Sequence, residues 1–306
     1  MAIEVRALCK SFGSVQVLKD LSFRVPKGSI TGFLGPNGAG KTTTLKLLLG
    51  LLYKDRGQVR LFGEEIETRP PQALKRRIGY LAEEPLFPPQ LTGWEVLALV
   101  AENYGLSNRA KAKELLTMFQ LEDAAGRKVA SYSRGMKQKL GLACALLPEP
   151  ELLILDEPVS AMDPAGRRQV LTLLGDLAGS TTVFFSSHIL ADVERVCQRV
   201  IVIKKGRKLL ESSLDELTGR TDYYLKLKDT EGEGLKYIEQ DPAVSSVQAE
   251  GEGYKVKVKE EMLQHFRTKT LLALLQKGVE LVEVKPRAEQ LEEVYLNLLE
   301  EGDENV

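Results

Sequence analysis

Eight consecutive residues, Gly35-Pro36-Asn37-Gly38-Ala39-Gly40-Lys41-Thr42, leave this chain little freedom in its fold. They fit the pattern GxxxxGK[ST] and stand between a buried apolar run, Ser29–Leu34, and a run of helical period, Lys41–Leu52. A loop of that kind joins a parallel strand to a helix, so the expected fold class is α/β with a phosphate-binding loop. Gly35, Gly38 and Gly40 keep side chains out of the space where backbone N–H groups converge on a polyphosphate. Pro36, Asn37 and Ala39 complete the loop, and the helix start at Lys41, Thr42 and Thr43 adds partial positive charge. Lys41 is expected to supply a point charge for the β and γ phosphates, and Thr42 a hydroxyl for Mg²⁺. A purely structural glycine turn would need neither residue.

A second element belongs with the loop. Leu152-Leu153-Ile154-Leu155 reads as a buried strand that delivers two carboxylates, Asp156 and Glu157, at its carboxyl end, where ligands sit on open α/β sheets. Adjacent acids there repel each other unless a cation compensates. Alternation along the strand sends them in different directions, so Asp156 is suited to hold the Mg²⁺ shell while Glu157 polarises an attacking water. A capping turn before Pro158 is the structural alternative.

Composition sets the outer limits. With 43% hydrophobic and 28% charged residues, the 306-residue chain sits among ordinary globular proteins, away from disordered or fibrous classes. No apolar run reaches the roughly 18 residues a membrane-spanning helix needs. The first ten residues lack the basic-then-apolar layout of a secretion signal, so a cytoplasmic setting is expected. Cys9, Cys144 and Cys197 are odd in number, scattered and never in a CxxC pair, which argues against disulfide frameworks and zinc sites. Charge is unevenly spread: residues 1–220 hold 31 Lys and Arg against 24 Asp and Glu, and residues 221–306 hold 11 against 19. That asymmetry favours two compositional halves, each with a solvated charged surface.

Periodicity agrees with two domains. Residues 1–220 alternate strands and helices, implying a mainly parallel sheet, with an all-helical insertion over about 86–147. Strands are expected at Ile3–Leu8, Leu21–Val25, Val59–Phe62, Ile78–Leu81 and Thr182–Phe185, and a hairpin about Lys205-Gly206. After Thr218-Gly219 the pattern becomes βαββαβ: Tyr223–Lys228, Leu235–Gln240, Ala243–Glu250, Tyr254–Lys259, Glu261–Gln276 and Glu280–Lys285, followed by a last helix Ala288–Leu299. The expectation for residues 221–306 is a small α+β domain of ferredoxin-like type.

Tyr132-Ser133-Arg134-Gly135-Met136, ahead of the acidic strand, completes a recognisable set. Ser133 is a good N-cap, and Gly135 clears the start of a helix that can meet an anion. With these residues the chain resembles the ATP-binding cassette (ABC) family over about residues 1–220, and the cluster is similar to its LSGGQ signature. The resemblance implies a P-loop NTPase fold with a helical subdomain, two cassettes sandwiching two ATP molecules, and Ser133, Arg134 and Gly135 meeting the γ-phosphate held by the partner. It implies that Phe12 stacks on adenine, that Asp163 in Ser160-Ala161-Met162-Asp163 lies at the dimer seam, and that His188 contacts the γ-phosphate and helps hold the attacking water. By residue type alone, Phe12 reads as a core aromatic and His188 as a satisfied core or surface residue.

Two departures from the family pattern stand out. Glu83 occupies the usual glutamine position, where either side chain offers an oxygen to Mg²⁺. Arg134 replaces a glycine and is open to two readings, attraction for the partner's phosphate or a solvent-facing charge. Taken with Lys41, Glu157 and His188, the resemblance implies an ATPase that uses ATP and Mg²⁺ at the cytoplasmic face of a membrane. Its expected partners are a second cassette, identical or related, and a separate permease, with no nucleic acid. Export is the favoured direction, on the Glu83-Glu84 pattern, the signature variant and the appended domain. Phe87, Leu91 and Trp94 are the exposed apolar candidates for permease contact, with core packing as the alternative for all three. The alternative is a soluble cassette working in translation or DNA repair, whose relatives usually carry two cassettes, zinc-binding cysteines or long coiled coils; none is visible here.

Overall fold

The computed structural model describes residues 1–106, 109–218, 221–228, 233–286 and 291–304. The chain divides into two compact units, Met1–Glu211 and Ser212–Val306. The first unit runs β1 (Ile3–Phe12), β2 (Val15–Val25), β3 (Ile30–Leu34), α1 (Lys41–Leu48), β4 (Arg56–Leu61), β5 (Glu64–Glu65), α2 (Gln72–Lys75) and β6 (Ile78–Leu81). It continues with α3 (Gly93–Tyr104), α4 (Arg109–Met118), α5 (Arg134–Leu146), β7 (Leu152–Asp156), α6 (Pro164–Asp176), β8 (Thr182–Ser187), α7 (Leu190–Val196), β9 (Arg199–Lys204) and β10 (Arg207–Ser213).

Its main sheet has the order β10-β9-β3-β8-β7-β6. The pairs β9–β3, β3–β8, β8–β7 and β7–β6 are parallel. Every residue of β3, β7 and β8 is buried, as expected for parallel strands covered on both faces. A second, antiparallel sheet, β2-β1-β4-β5, was not separable in the sequence. β1 and β2 are ten and eleven residues long, well beyond the expected Ile3–Leu8 and Leu21–Val25. Register shifts interrupt their pairing, and Ala7 and Asp20 sit at φ 46° and 52°, so apolar alternation breaks mid-strand. Phe23 of this sheet packs against Phe33 of β3 and Phe184 of β8, with ring centroids 5.6 Å apart in each case, joining the two sheets in one core.

Helix starts are set by local chemistry. Thr92 and Glu95 form a capping box at α3, Ser133 accepts the Met136 N–H at 3.2 Å to open α5, and Asp163 accepts the Gly166 N–H at 3.2 Å to open α6. Helix α5 lies hard against β6: a Cβ on Gly79 would meet the Ala145 carbonyl at 2.3 Å. The absence of a side chain at Gly79 is what permits this close approach of α5 to the sheet. All three cysteines are free thiols, and burial pushes that of Cys144 up to about 12.

The second unit contains α8 (Leu214–Leu217), β11 (Asp222–Lys228), α9 (Glu233–Gln240), β12 (Val244–Glu250), β13 (Gly253–Val258), α10 (Leu263–His265), α11 (Leu271–Gln276), β14 (Glu280–Pro286) and α12 (Leu291–Glu304). Its sheet, β12-β13-β11-β14, is antiparallel throughout. Tyr223 and Leu225 of β11 and Val256 and Val258 of β13 join Ile238, Phe266 and Leu274 from the helices in a separate core. The helix expected over Glu261–Gln276 is broken by a π turn, Phe266–Thr270, that buries Phe266 and Thr270. Thr270 donates its hydroxyl proton to the buried Asp241 carboxylate at 2.8 Å. The limit expected between residues 220 and 221 differs from the division after Glu211, and the expected helix start at Ala288 lies outside the described residues.

Candidate functional site

Strand order brings three carboxyl ends together. Because β3 pairs with β8 and β8 with β7, the residues that follow them, Gly35, His188 and Glu157, converge. A cavity of about 470 Å³ opens there, lined by Pro36, Asn37, Gly38, Gly40, Lys41, Thr42 and Thr43 of the loop, with Val17, Glu83, Glu157 and His188. Gly40, at φ 104°, turns the chain into α1, and a Cβ there would meet Leu18 at 2.6 Å. Gly35 and Ala39 are buried behind the loop.

The charged groups form a continuous line. Lys41 is 7% exposed, and its ammonium donates to the Gly35 carbonyl at 2.7 Å and the Pro36 carbonyl at 3.4 Å. It lies 3.7 Å from Glu157 Oε1, and Glu157 Oε2 lies 2.9 Å from His188 Nδ1. Glu157 is buried and His188 is exposed at its ring, so the line runs from the loop's interior to the cavity mouth.

Asp156 points elsewhere. Its Oδ1 accepts the Ser186 hydroxyl at 2.6 Å, while Oδ2 is buried with no hydrogen-bond partner. A buried carboxylate oxygen without a donor is costly, and a hard cation is the partner its chemistry fits. The neighbouring phenol of Tyr80 is pushed up to about 12 by burial and by the Asp156 charge. Asp156 and Glu157 therefore diverge, but not by strand alternation: β7 ends at Asp156, and Glu157 turns away with a left-handed backbone at φ 47°. No cluster of three or more His, Cys, Asp or Glu that could hold a metal exists among the described residues. An ion here would take Asp156 together with ligands of another kind, such as the Thr42 hydroxyl and phosphate oxygens.

Several expected site residues stand outside this cavity. Phe12 is exposed, with the Lys10 ammonium 5.2 Å from its ring centroid. Arg134 pairs with Glu84 at 3.0 Å beside a smaller cavity of about 280 Å³, which Glu83 also lines. Ser133 and Asp163 are exposed helix caps, and Gly135 is half-buried. Phe87, Leu91 and Trp94, expected to be exposed, are each half-buried; the exposed apolar side chain of that segment is Leu86, at 92%. Pro85, Pro88 and Pro89 keep this segment out of regular structure, so no period tells which of its apolar side chains is exposed.

Sequence reasoning missed Ser186 and Gln138. Ser186 accepts the Glu157 N–H at 2.9 Å, and Gln138 donates to the Glu157 carbonyl at 3.2 Å. Neither belongs to a contiguous pattern with Glu157, and only the strand register reveals Ser186 opposite Asp156.

The family model for ABC transporters matches residues 18–160. The chain is 37% identical over 304 residues to the uncharacterized ABC transporter ATP-binding protein YxlF of Bacillus subtilis, covering 97% of this chain and 99% of that protein. The chain belongs to the ATP-binding proteins of ABC transporters. This cassette is also 34% identical over 303 residues to the bacitracin transport ATP-binding protein BcrA of Bacillus licheniformis, covering 98% of each. Among solved structures, it resembles the dimeric post-hydrolysis state of the ATP-binding cassette MJ0796 bound to ADP and Pi, with a TM-score of 0.64 and 25% identity over 69% of this chain and 98% of that one. The cassette hydrolyses ATP for transport. The matches to YxlF and BcrA run through the second unit as well. No described helix is long and apolar enough to cross a membrane.

Proposed function

We propose that this cassette binds ATP with Mg²⁺ at the carboxyl ends of β3, β7 and β8, closes over it with a second cassette, and powers export through a separate permease at the cytoplasmic face of the membrane. The observation that carries this reading is the unbroken line from Lys41 through Glu157 to His188 around a cavity walled by the phosphate loop. In that cavity the loop N–H groups and Lys41 cradle the β and γ phosphates. Thr42 and Asp156 hold the ion, with Glu83 as a further oxygen; when bound, it neutralises charge on the β and γ oxygens. The partnerless Oδ2 of Asp156 supports that assignment.

Glu157 orients the attacking water and accepts its proton as the water oxygen bonds to the γ-phosphorus and the β–γ bridging bond breaks to ADP. His188, in contact with Glu157, steadies the carboxylate and bears on the γ-phosphate. Phe12 stacks on adenine. Ser133, Arg134, Gly135 and Asp163, outside the cavity of their own chain, are the face offered to the partner's nucleotide; the dimeric form of MJ0796 supports this arrangement.

The permease is proposed to seat an apolar segment in a groove of about 450 Å³ lined by Leu49, Leu51, Tyr80, Val100 and Tyr104, with the exposed Leu86 as a second contact. The name of BcrA, which ties that relative to bacitracin transport, supports a transport partner. Residues 221–306 are read as a ferredoxin-like self-association or regulatory module, a reading supported by β11 and β13 at the centre of the sheet and β12 and β14 at its edges. Removal of that module without effect on dimerisation, transport or turnover would overturn its part of the proposal.

Glu157→Gln tests the core of the reading. The variant is expected to keep ATP affinity, lower turnover by about 10²- to 10³-fold and accumulate as an ATP-bound dimer in size-exclusion chromatography. Turnover at the unmodified rate would remove Glu157 from its role.

A further inference from the structure

Glu157 has φ 47°, a left-handed backbone that L side chains rarely adopt, and its surroundings hold both sides of that residue. Its N–H donates to Ser186 Oγ at 2.9 Å. Its carbonyl accepts from Gln138 Nε2 at 3.2 Å and from Ser160 Oγ at 3.1 Å. Ser186 and Gln138 are essentially without solvent contact, at 0% and 1% exposure, so water cannot replace either bond.

The Ser186 hydroxyl has one proton, and it goes to Asp156 Oδ1 at 2.6 Å. That leaves its oxygen lone pairs free to accept from the Glu157 N–H, so the two hydrogen bonds of Ser186 do not compete. Gln138 comes from a different element, α5, one helical turn after Gly135. The same helix start that carries Ser133 and Gly135 is therefore tied to the backbone of the acid across the sheet's end.

We propose that Ser186 and Gln138 are positioning residues for hydrolysis: together they hold Glu157 in its left-handed conformation, which aims its carboxylate at His188 and the attacking water, and Gln138 makes that aim depend on where α5 stands. The inference rests on the reading of Glu157 as the acid that takes the proton from water. The three hydrogen bonds reach Glu157 from β8, from α5 and from its own turn, so a shift of α5 loads the Glu157 carbonyl directly. A displacement of about 1 Å at a reacting group is enough to cost on the order of a hundredfold in rate.

The experiment is a double-mutant cycle on the full chain, reading kcat, KM for ATP, ATP affinity and the Mg²⁺ concentration giving half-maximal rate. Ser186→Ala and, separately, Gln138→Leu are expected to lower kcat by about ten- to a hundredfold with ATP affinity held within about twofold, and to have no further effect in the Glu157→Gln background. An equal loss in both backgrounds, or no loss in either variant, overturns the inference. A shift of the Mg²⁺ midpoint in Ser186→Ala with no kcat loss in Gln138→Leu also overturns it, because Ser186 would then act through Asp156. Should Ser186→Ala fail to fold, Gln138→Leu decides alone, since it touches Glu157 and not Asp156. Full activity of Glu157→Gln itself would sink the underlying reading instead, a distinct result.

Discussion

The first unit buries Asp156 and Asp192 and the second buries Asp241; Asp192 pairs with Arg167 at 2.7 Å, while Asp156 and Asp241 are served differently. Asp241 of the second unit, 7% exposed, has both oxygens satisfied: Oδ1 accepts the Ala243 N–H and Oδ2 the Thr270 hydroxyl, each at 2.8 Å. Asp156 of the first unit, 1% exposed, has one oxygen bonded to Ser186 and the other left over. Burial of a charge is tolerated when its hydrogen-bonding capacity is used up, and Asp241 then behaves as an internal clamp between the loop before β12 and the π turn. Asp192 also keeps a partnerless buried Oδ2, but the Arg167 guanidinium meets its charge, so it is at Asp156 that leftover capacity is room for a cation. The sheets follow the same division. The parallel one is buried on both faces and offers only its strand ends, while the antiparallel one spends its alternation on a core and faces surface ion pairs such as Lys226 with Glu252.

The contrast can be broken most forcefully at Lys41. Lys41→Ala is expected to weaken ATP binding by on the order of a hundredfold or more while leaving the second unit's unfolding transition in place; retained affinity would show that the loop does not grip phosphate. Next in size, Asp156→Asn is expected to lower turnover by about 10²-fold or more with thermal stability unchanged or slightly raised, since it removes an unpaired buried charge. Asp241→Ala should do the reverse, destabilising the second unit by about 2–3 kcal/mol in denaturant unfolding with the basal ATPase rate intact. If Asp156→Asn unfolded the cassette and Asp241→Ala silenced hydrolysis, the assignment of one aspartate to chemistry and the other to architecture would be inverted.

Legibility in the sequence followed contiguity. Gly35 to Thr42 and Leu152 to Glu157 each lie in one stretch, so strand, turn and charge could be read together, and the cavity they line stands where those readings converge. Ser186 and Gln138 were invisible because they meet Glu157 across 29 and 19 residues of chain. The antiparallel sheet of the first unit was hidden by bulges at Ala7 and Asp20, which break the two-residue period from which strands are read. In the second unit the order of strands and helices was legible from alternation, but the π turn was not, because Phe266 and Thr270 keep a helical pattern of burial through it. The exposure of Leu86, where Phe87, Leu91 and Trp94 are the candidates by sequence, was not legible for another reason: Pro85, Pro88 and Pro89 set a local geometry that no period describes.

The smallest effect tests the comparison from the other side. Glu151 precedes the same strand, β7, that ends in Asp156, and it is bonded to Arg77 through both oxygens, at 2.6 and 2.9 Å. That hydrogen bond and the guanidinium charge hold its carboxyl below the ordinary carboxylate range. A carboxylate whose folded-state pKa is lowered stabilises the fold fully above its unfolded value of about 4.3 and ceases to do so as pH falls through the lowered folded value. The side chain is 54% exposed, however, so solvent screens the pair, and Glu151→Gln is expected to cost only about 0.5 kcal/mol at pH 7 and nothing near pH 2. The ATPase rate should not change. A cost of several kcal/mol, or one that grows on acidification, would mean that satisfaction of hydrogen bonds, without burial, decides what a carboxylate is worth here, and the distinction between Asp156 and Asp241 would need another basis.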